Sequence, residues 1–333
     1  MAVAQLDQRM EILAAEALPE EQSQFLILLR RFARHRLAVV STVLAALIIG
    51  VVLLAKTIAP FSSTELEIAG SFGTPMTAAP DGRMHILGTD QLGRDYFSRL
   101  LYAGRISLSV ALASVLGSSL LGMLVGSVSG YFRGWVDDVL MRFVEFLLTI
   151  PLLPILLILS SILIQSPDLI PIPDFALNAV ASFMYIAPRE ARQVIMIIIV
   201  LMSFGWLTSA RLMRGMVLSL REQEFTDAAR SMGATDLWII IRHMIPNAMA
   251  PIIVDASLAL AGFVILESAL SFLGFGIQDP TPTWGNMLAF TESYMFLHPW
   301  LPLIPGLPIF ICALVFNFIG DGLRDALDPR LKL

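Results

Sequence analysis

At 333 residues, 56% apolar and only 15% charged, the chain falls well short of the roughly 25% charged residues of an ordinary soluble domain. With a mean hydropathy of +0.77, most of it must lie where a charge is costly, which points to a membrane-embedded protein. The net charge of −5 decides little, because in a membrane protein the placement of charge matters more than its sum.

The first 25 residues carry Asp7, Glu11, Glu16, Glu20 and Glu21 against Arg9. That is the opposite of the basic start of a signal peptide, so the first apolar run is expected to be an uncleaved span. Residues 25–36, FLILLRRFARHR, mix apolar positions with four arginines, the pattern of a helix lying in the membrane interface. Charge-free windows then mark six spans: 37–55, 106–132, 146–167, 193–210, a fifth from Pro246 to about Gly276, and 301–320. Six spans place both termini on one side. With that side cytoplasmic, fifteen of the 22 basic residues fall inside, and five of the outer seven sit on one long loop that weighs less in the rule.

The predicted organisation is a cytoplasmic tail with an interfacial helix (1–36), a first span (37–59), an extracytoplasmic loop (60–104), a five-span core (105–320) and a short cytoplasmic tail (321–333). Near its end the outer loop reads as a short amphipathic helix, with Tyr96, Phe97, Leu100 and Leu101 toward the membrane and Arg94 and Asp95 pinning it. In the outer segment 168–192, Pro171, Pro173 and Pro188 argue against a continuous helix. The single cysteine, Cys312, forms no disulfide within the chain and reads as a small buried hydrophobe.

The second span repeats small residues at every fourth position: Ser114, Ser118, Gly122, Gly126, Gly130 and Gly134. Helices in lipid associate through close backbone approach, so Ser118, Gly122, Gly126 and Gly130 predict a tight packing ridge, within this chain or against a second membrane subunit.

Between the fourth and fifth spans lies EFTDAARSMGATDLWIIIRHMIP, residues 224–246, rich in charge and on the predicted cytoplasmic side. Its pattern is a helix over about 218–232 stopped by Gly233, then a second helix capped by Thr235 with Asp236 in its first turn. Pro246 is expected to interrupt the entry to the fifth span. Ala228 and Ala229 would let another surface come close, with Glu222, Glu224, Asp227 and Arg230 offering charge beside them.

Asp227-Ala228-Ala229, Gly233 and Pro246 at these spacings resemble the cytoplasmic motif of ABC importer permeases, whose coupling helix sits in a groove of an ATPase subunit. Two positions depart from the motif: Asp227 replaces its glutamate, and His243 replaces an apolar residue. His243 followed by Pro246-Asn247-Ala248 is similar to the dipeptide and oligopeptide branch. Three more stretches, LGTDQLGRDYFSRLLYAGRISL (87–108), ESALSFLGFGIQDPTPTWGNML (267–288) and GDGLRDALDPRLK (320–332), resemble its C-type permease, and the likeness covers about residues 26–333.

The resemblance implies an all-α, six-span type I importer permease in a bacterial or archaeal plasma membrane, with a cytoplasmic coupling helix. Its ATPase-coupling residues would be Glu224, Asp227, Ala228, Ala229, Gly233 and Pro246. The implied partners are a second homologous permease, two cytoplasmic ATP-binding subunits that use ATP and Mg, an extracytoplasmic solute-binding protein and the lipid bilayer. No nucleic acid is expected. Peptide is the implied cargo, with nickel, glutathione and oligosaccharide importers sharing the permease family.

Independently, the chain has no phosphate-binding loop: GVVLLAKT (50–57) has Ala55 where glycine is required, and lies in an apolar span. No catalytic residue, metal site or bound cofactor is expected, because the four histidines are scattered and no nucleophile–base pair sits in the spans. Two carboxylates, Asp255 and Glu267, fall in the fifth span. Each has two readings, a group on the substrate pathway or a packing hydrogen bond. On the first, a proton-coupled secondary carrier using them is the rival function.

Overall fold

The computed structural model describes residues 24–67 and 70–327. The acidic stretch before residue 24 and the basic residues Arg330 and Lys332 lie outside the described residues. Helix α1 (Gln24–Arg34) leads into α2 (Arg36–Leu53). His35 makes the corner: its Nδ1 accepts the Ala38 N–H at 3.1 Å, and its Nε2 lies 3.7 Å from Asp325. After the single turn α3 (Ala55–Ile58), the chain forms a small hairpin, β1 (Thr77–Ala78) against β2 (Met84–His85).

The remainder is helical. It runs through α4 (Tyr96–Phe132), α5 (Gly134–Leu148), α6 (Leu152–Gln165), α7 (Asp174–Met184), α8 (Pro188–Leu220) and α9 (Glu224–Ser231). The turn α10 (Asp236–Ile239) continues through a π-helical stretch, Ile240–Met244, into α11 (Ile245–Phe272). Helices α12 (Trp284–Glu292) and α13 (Leu303–Leu327) complete the described chain.

Five helices are long and apolar enough to cross a membrane: α2, α4, α8, the α10–α11 unit and α13. The pair α5–α6 passes the same test when taken together, bent by 91° at its break, and counted as one broken span it brings the total to six. This corrects the expected straight span over 146–167. Pro151 has no N–H to give and biases Ile150 away from the helical region, so α5 stops and a 14-residue α6 begins anew. The opposite correction applies at Pro246. It occupies the first turn of α11, where a missing N–H costs little, and the π-helical stretch before it carries one uninterrupted helix from Asp236 to Phe272.

The small-residue ridge of α4 packs on α8. A Cβ built on Gly122 would lie 2.6 Å from the Ser209 Cβ, and one on Gly126 would lie 2.7 Å from the Met213 Cβ. One on Gly130 would meet the Arg214 carbonyl at 2.9 Å, and Ser118 faces Gly205 the same way. The ridge therefore closes a contact within this chain. Gly134 stands apart from it, at φ +56 at the start of α5 with open space where a side chain would go.

The outer loop folds down over the start of α4. Tyr96 and Leu101 are buried beneath it, not turned to lipid, and residues 96–105 form the first turns of α4 itself. Asp95 begins that helix by accepting the Ser98 N–H at 2.7 Å, and its other oxygen meets His85 Nδ1 at 2.9 Å. Arg94 and Arg99, both almost fully buried, share Asp90 and Asp279. Arg94 donates to Asp279 at 2.7 and 2.9 Å, and Arg99 donates at 3.1 Å. Asp279 lies between α11 and α12, so this network fastens the outer loop to the far end of the chain.

At the loop's rim, the hydrogen bond from Arg83 holds the Glu65 carboxyl below its ordinary value of 4.5. The Arg83 backbone N–H, and then its side chain, hold Asp81 below 3.8. Carboxylates with depressed folded values stabilise above the ordinary range, and that contribution is lost as pH falls through the folded values. Hairpin amides such as Ala79, which donates to the Arg83 carbonyl at 2.7 Å, are expected to lose exchange protection below about pH 4. In Arg83→Gln that pH dependence should disappear, measured by hydrogen exchange corrected for intrinsic rates.

Candidate functional site

The charged segment between α8 and α11 forms a bent elbow. Its first helix is shorter than expected, because the chain turns at Arg221–Gln223 before α9 starts. Buried Thr226 bridges that turn by donating to the Leu220 carbonyl at 2.9 Å. At the other end Gly233 takes φ +82; its N–H reaches the Arg230 carbonyl at 2.9 Å and the Ala234 N–H reaches the Ala229 carbonyl at 3.1 Å. That pair of bonds is a Schellman stop, which needs a left-handed residue at this point. Thr235 then caps α10 by accepting the Trp238 N–H at 3.4 Å.

The two alanines face opposite ways. Ala229 is 2% exposed and packs with Tyr131, Met213, Val217, Ile239 and Met244 under the elbow. Only Ala228 faces outward, beside exposed Glu224 and Asp227. The expectation that both alanines open a surface is corrected accordingly: the 100° step from Ala228 to Ala229 carries the second alanine from the exposed side into the buried cluster. Elsewhere on the elbow Met232 (81% exposed), Leu237 (66%) and Trp238 (47%) are open on its surface. Large exposed apolar side chains are unusual in a segment otherwise rich in charge. Leu237 and Trp238 were readable as two large apolar residues next to a cap; their place on this surface was not.

The elbow is tied to the spans. Tyr131, in the last turn of α4, donates to Asp236 at 2.6 Å, and the guanidiniums of Arg221 and Arg230 lie 5.7 and 5.4 Å from its ring centre. Arg214 of α8 donates two bonds of 2.5 Å to Asp137 of α5, which also accepts from Ser129 of α4 at 2.5 Å. Tyr131 thus fastens the elbow to α4, and Asp137 fastens α5 to both α4 and α8.

Within the membrane the two carboxylates separate. Asp255 accepts from Ser209 of α8 at 2.6 Å and lines a cleft of ≈ 370 Å³ between the α5–α6 break, α8 and α11, in which it is the one charged group. Glu267 lies about 18 Å further along α11 at 1.5 Å per residue. It is fully buried, away from the cleft; one oxygen accepts from Ser271 at 2.8 Å and the other, Oε2, has no hydrogen-bond partner. Ser107, Thr283 and Ser271 each accept a backbone N–H, from Trp284, Asn286 and Ile277. The hydroxyl of Ser107 thereby ties α4 to the start of α12, and that of Ser271 ties the end of α11 to Ile277. Among the described residues no group of three or more His, Cys, Asp or Glu converges as metal ligands.

Comparison with known proteins places this geometry. The family model for the binding-protein-dependent transport system inner membrane component matches residues 118–333, and that for the N-terminal TM domain of oligopeptide transport permease C matches 23–72. The chain is 35% identical over 302 residues to the oligopeptide transport system permease protein OppC of Haemophilus influenzae, covering 90% of this chain and 87% of that protein. It is also 35% identical to the dipeptide permease DppC of Alkalihalophilus pseudofirmus (91% and 89% covered). The glutathione permease GsiD of Pectobacterium atrosepticum is similar at 35% (91% and 90% covered). Among solved structures, the MetNI methionine ABC transporter aligns with a TM-score of 0.45 and 15% identity, over 69% of this chain and 97% of that one.

Proposed function

Because the chain belongs to the family of binding-protein-dependent transport system inner membrane components, we propose that it is the permease through which an ATP-driven importer moves short peptides by alternating access. Two cytoplasmic ATPases bind the elbows of this chain and of a second, homologous permease. An extracytoplasmic binding protein delivers cargo at the opposite face, and both termini of this chain are cytoplasmic. The chain itself catalyses nothing. The observation that carries this reading is the elbow: a Schellman-stopped helix followed by exposed Met232, Leu237 and Trp238, fastened through Tyr131 and Asp236 to the spans.

Peptide cargo is supported by the relatives named for oligopeptide, dipeptide and glutathione transport, glutathione being itself a tripeptide. Asp255, the one charge in the central cleft, is suited to meet a peptide's ammonium group as it passes. Asp255→Asn is expected to lower peptide uptake roughly tenfold, the worth of about one charge-assisted hydrogen bond, while ATP hydrolysis stays responsive to the binding protein. Ser209→Ala should reduce uptake less.

Uptake of labelled peptide into proteoliposomes holding the whole complex tests the reading. It should require ATP and binding protein and survive an ionophore that collapses the proton gradient. Uptake that needs the gradient and ignores ATP would instead establish a proton-coupled carrier working through Asp255.

A further inference from the structure

At the end of the bundle away from the elbow, the helices leave a second cleft of ≈ 340 Å³. Ile49, Leu53, Leu108, Leu112, Leu260 and Phe316 form its walls, and Ile49, Leu53 and Leu112 are about half exposed, so it opens sideways toward lipid. Arg105 is the one charged side chain on it. Its guanidinium lies over the rings of Phe183 and Tyr185, at 4.7 and 4.4 Å, and donates to the Leu53 carbonyl at 3.1 Å. Its Nε is buried without a hydrogen-bond partner, and the residue is only 6% exposed. Lys56 stands near the same ring, its Nζ 5.0 Å from the centre of Tyr185.

Among the described residues, no carboxylate lies within 4.0 Å of either cation. The same end of the molecule treats its other buried cations differently, since Arg94 and Arg99 share Asp90 and Asp279. A buried cation beside a membrane needs an anion, and here the fold supplies none. The anion must come from outside, and the apolar walls next to it indicate what carries it. Arginine and lysine are the usual partners of phosphate oxygens, and aromatic residues sit at the headgroup level of a bilayer.

We propose that this cleft binds one anionic phospholipid, with its phosphate between Arg105 and Lys56 and an acyl chain between α2, α4 and α13. In the orientation proposed above, it belongs to the outer leaflet. The lipid completes the packing of α2, whose remaining surface is almost all apolar and exposed, against the core.

The test uses the complete transporter, purified with its co-purifying chains and placed in nanodiscs of phosphatidylcholine with or without phosphatidylglycerol. Native mass spectrometry should find one phosphatidylglycerol retained per chain after delipidation, and phosphatidylglycerol but not phosphatidylcholine should raise the melting midpoint. Lys56→Ser, at an exposed position, should lower retention roughly fivefold, and Arg105→Gln should do so at least as strongly. Leu112→Trp fills the cleft but keeps both charges, and should also expel the lipid. The proposal is overturned if Lys56→Ser and Leu112→Trp retain the lipid unchanged, or if phosphatidylcholine is held equally well. Equal protection by inorganic phosphate would overturn it too, as would a Leu112→Cys cross-link to the second permease in place of lipid.

Discussion

Gly233→Pro is expected to abolish transport and the stimulation of ATP hydrolysis by cargo, while the protein still inserts and assembles its spans. The reason is conformational. Gly233 holds φ +82, which a proline ring fixed near −65° cannot adopt, so the Schellman stop is lost and α9 no longer meets α10 at its angle. Gly233→Ala should be milder. There is open space around the position, so an alanine meets only the cost of a left-handed backbone, about 1–2 kcal/mol. The two alanines of the elbow then separate fold from docking. Ala229→Glu forces a carboxylate into the cluster of Tyr131, Met213 and Val217 and should destabilise the elbow itself. Ala228→Glu sits on the exposed face, should leave melting unchanged, and should still block coupling. Uptake and ATPase assays on the reconstituted complex, alongside thermal melting, distinguish these outcomes.

Gly126→Leu is expected to cost the second large effect, this time in stability. Its Cβ would already lie 2.7 Å from the Met213 Cβ and 3.0 Å from the Arg214 nitrogen, so a longer side chain must push α4 and α8 apart. Overpacking of this kind costs about 1–3 kcal/mol or more, and α4–α8 is the most extensive helix contact in the bundle, so the melting midpoint should fall by about 5 °C or more. Gly215→Leu is the matched control. It follows Arg214 on α8 but points away from that contact, with nothing within 4 Å of its would-be Cβ, and it should melt like the parent. Equal losses in both variants would show that the ridge is not what holds the two spans.

Much of the architecture was legible because it rests on local chemistry. Five charge-free windows and one apolar run interrupted by Asp255 and Glu267 marked the candidate spans, and a glycine before a Thr-Asp cap marked the elbow. The every-fourth-residue glycines announced a close helix contact, although their spacing alone could not name α8 as the partner. What the sequence hid depends on distant contacts. Asp279 lies 185 residues from Arg94, so nothing near either residue foretold their pairing or the burial of Tyr96 beneath the loop. Pro151 and Pro246 show the same limit from the other side. Each removes one N–H, but the first bends its span by 91° while a π-helical stretch absorbs the second. Intramembrane carboxylates were likewise visible as costly groups. Only packing separated Asp255, at a cleft, from Glu267, fully buried beside Ser271.

Cys312 is the chain's one cysteine and is buried, so Ala228→Cys places a single reachable thiol at the centre of the elbow's exposed face. Its labelling by a water-soluble maleimide should be followed while the complex imports peptide. Shielding of the thiol throughout turnover, with an oxidative cross-link to the ATPase subunit, is the predicted result. Labelling at the same rate with and without the ATPase, with import undiminished, would contradict the idea that this corner of the chain transmits the motor's movement.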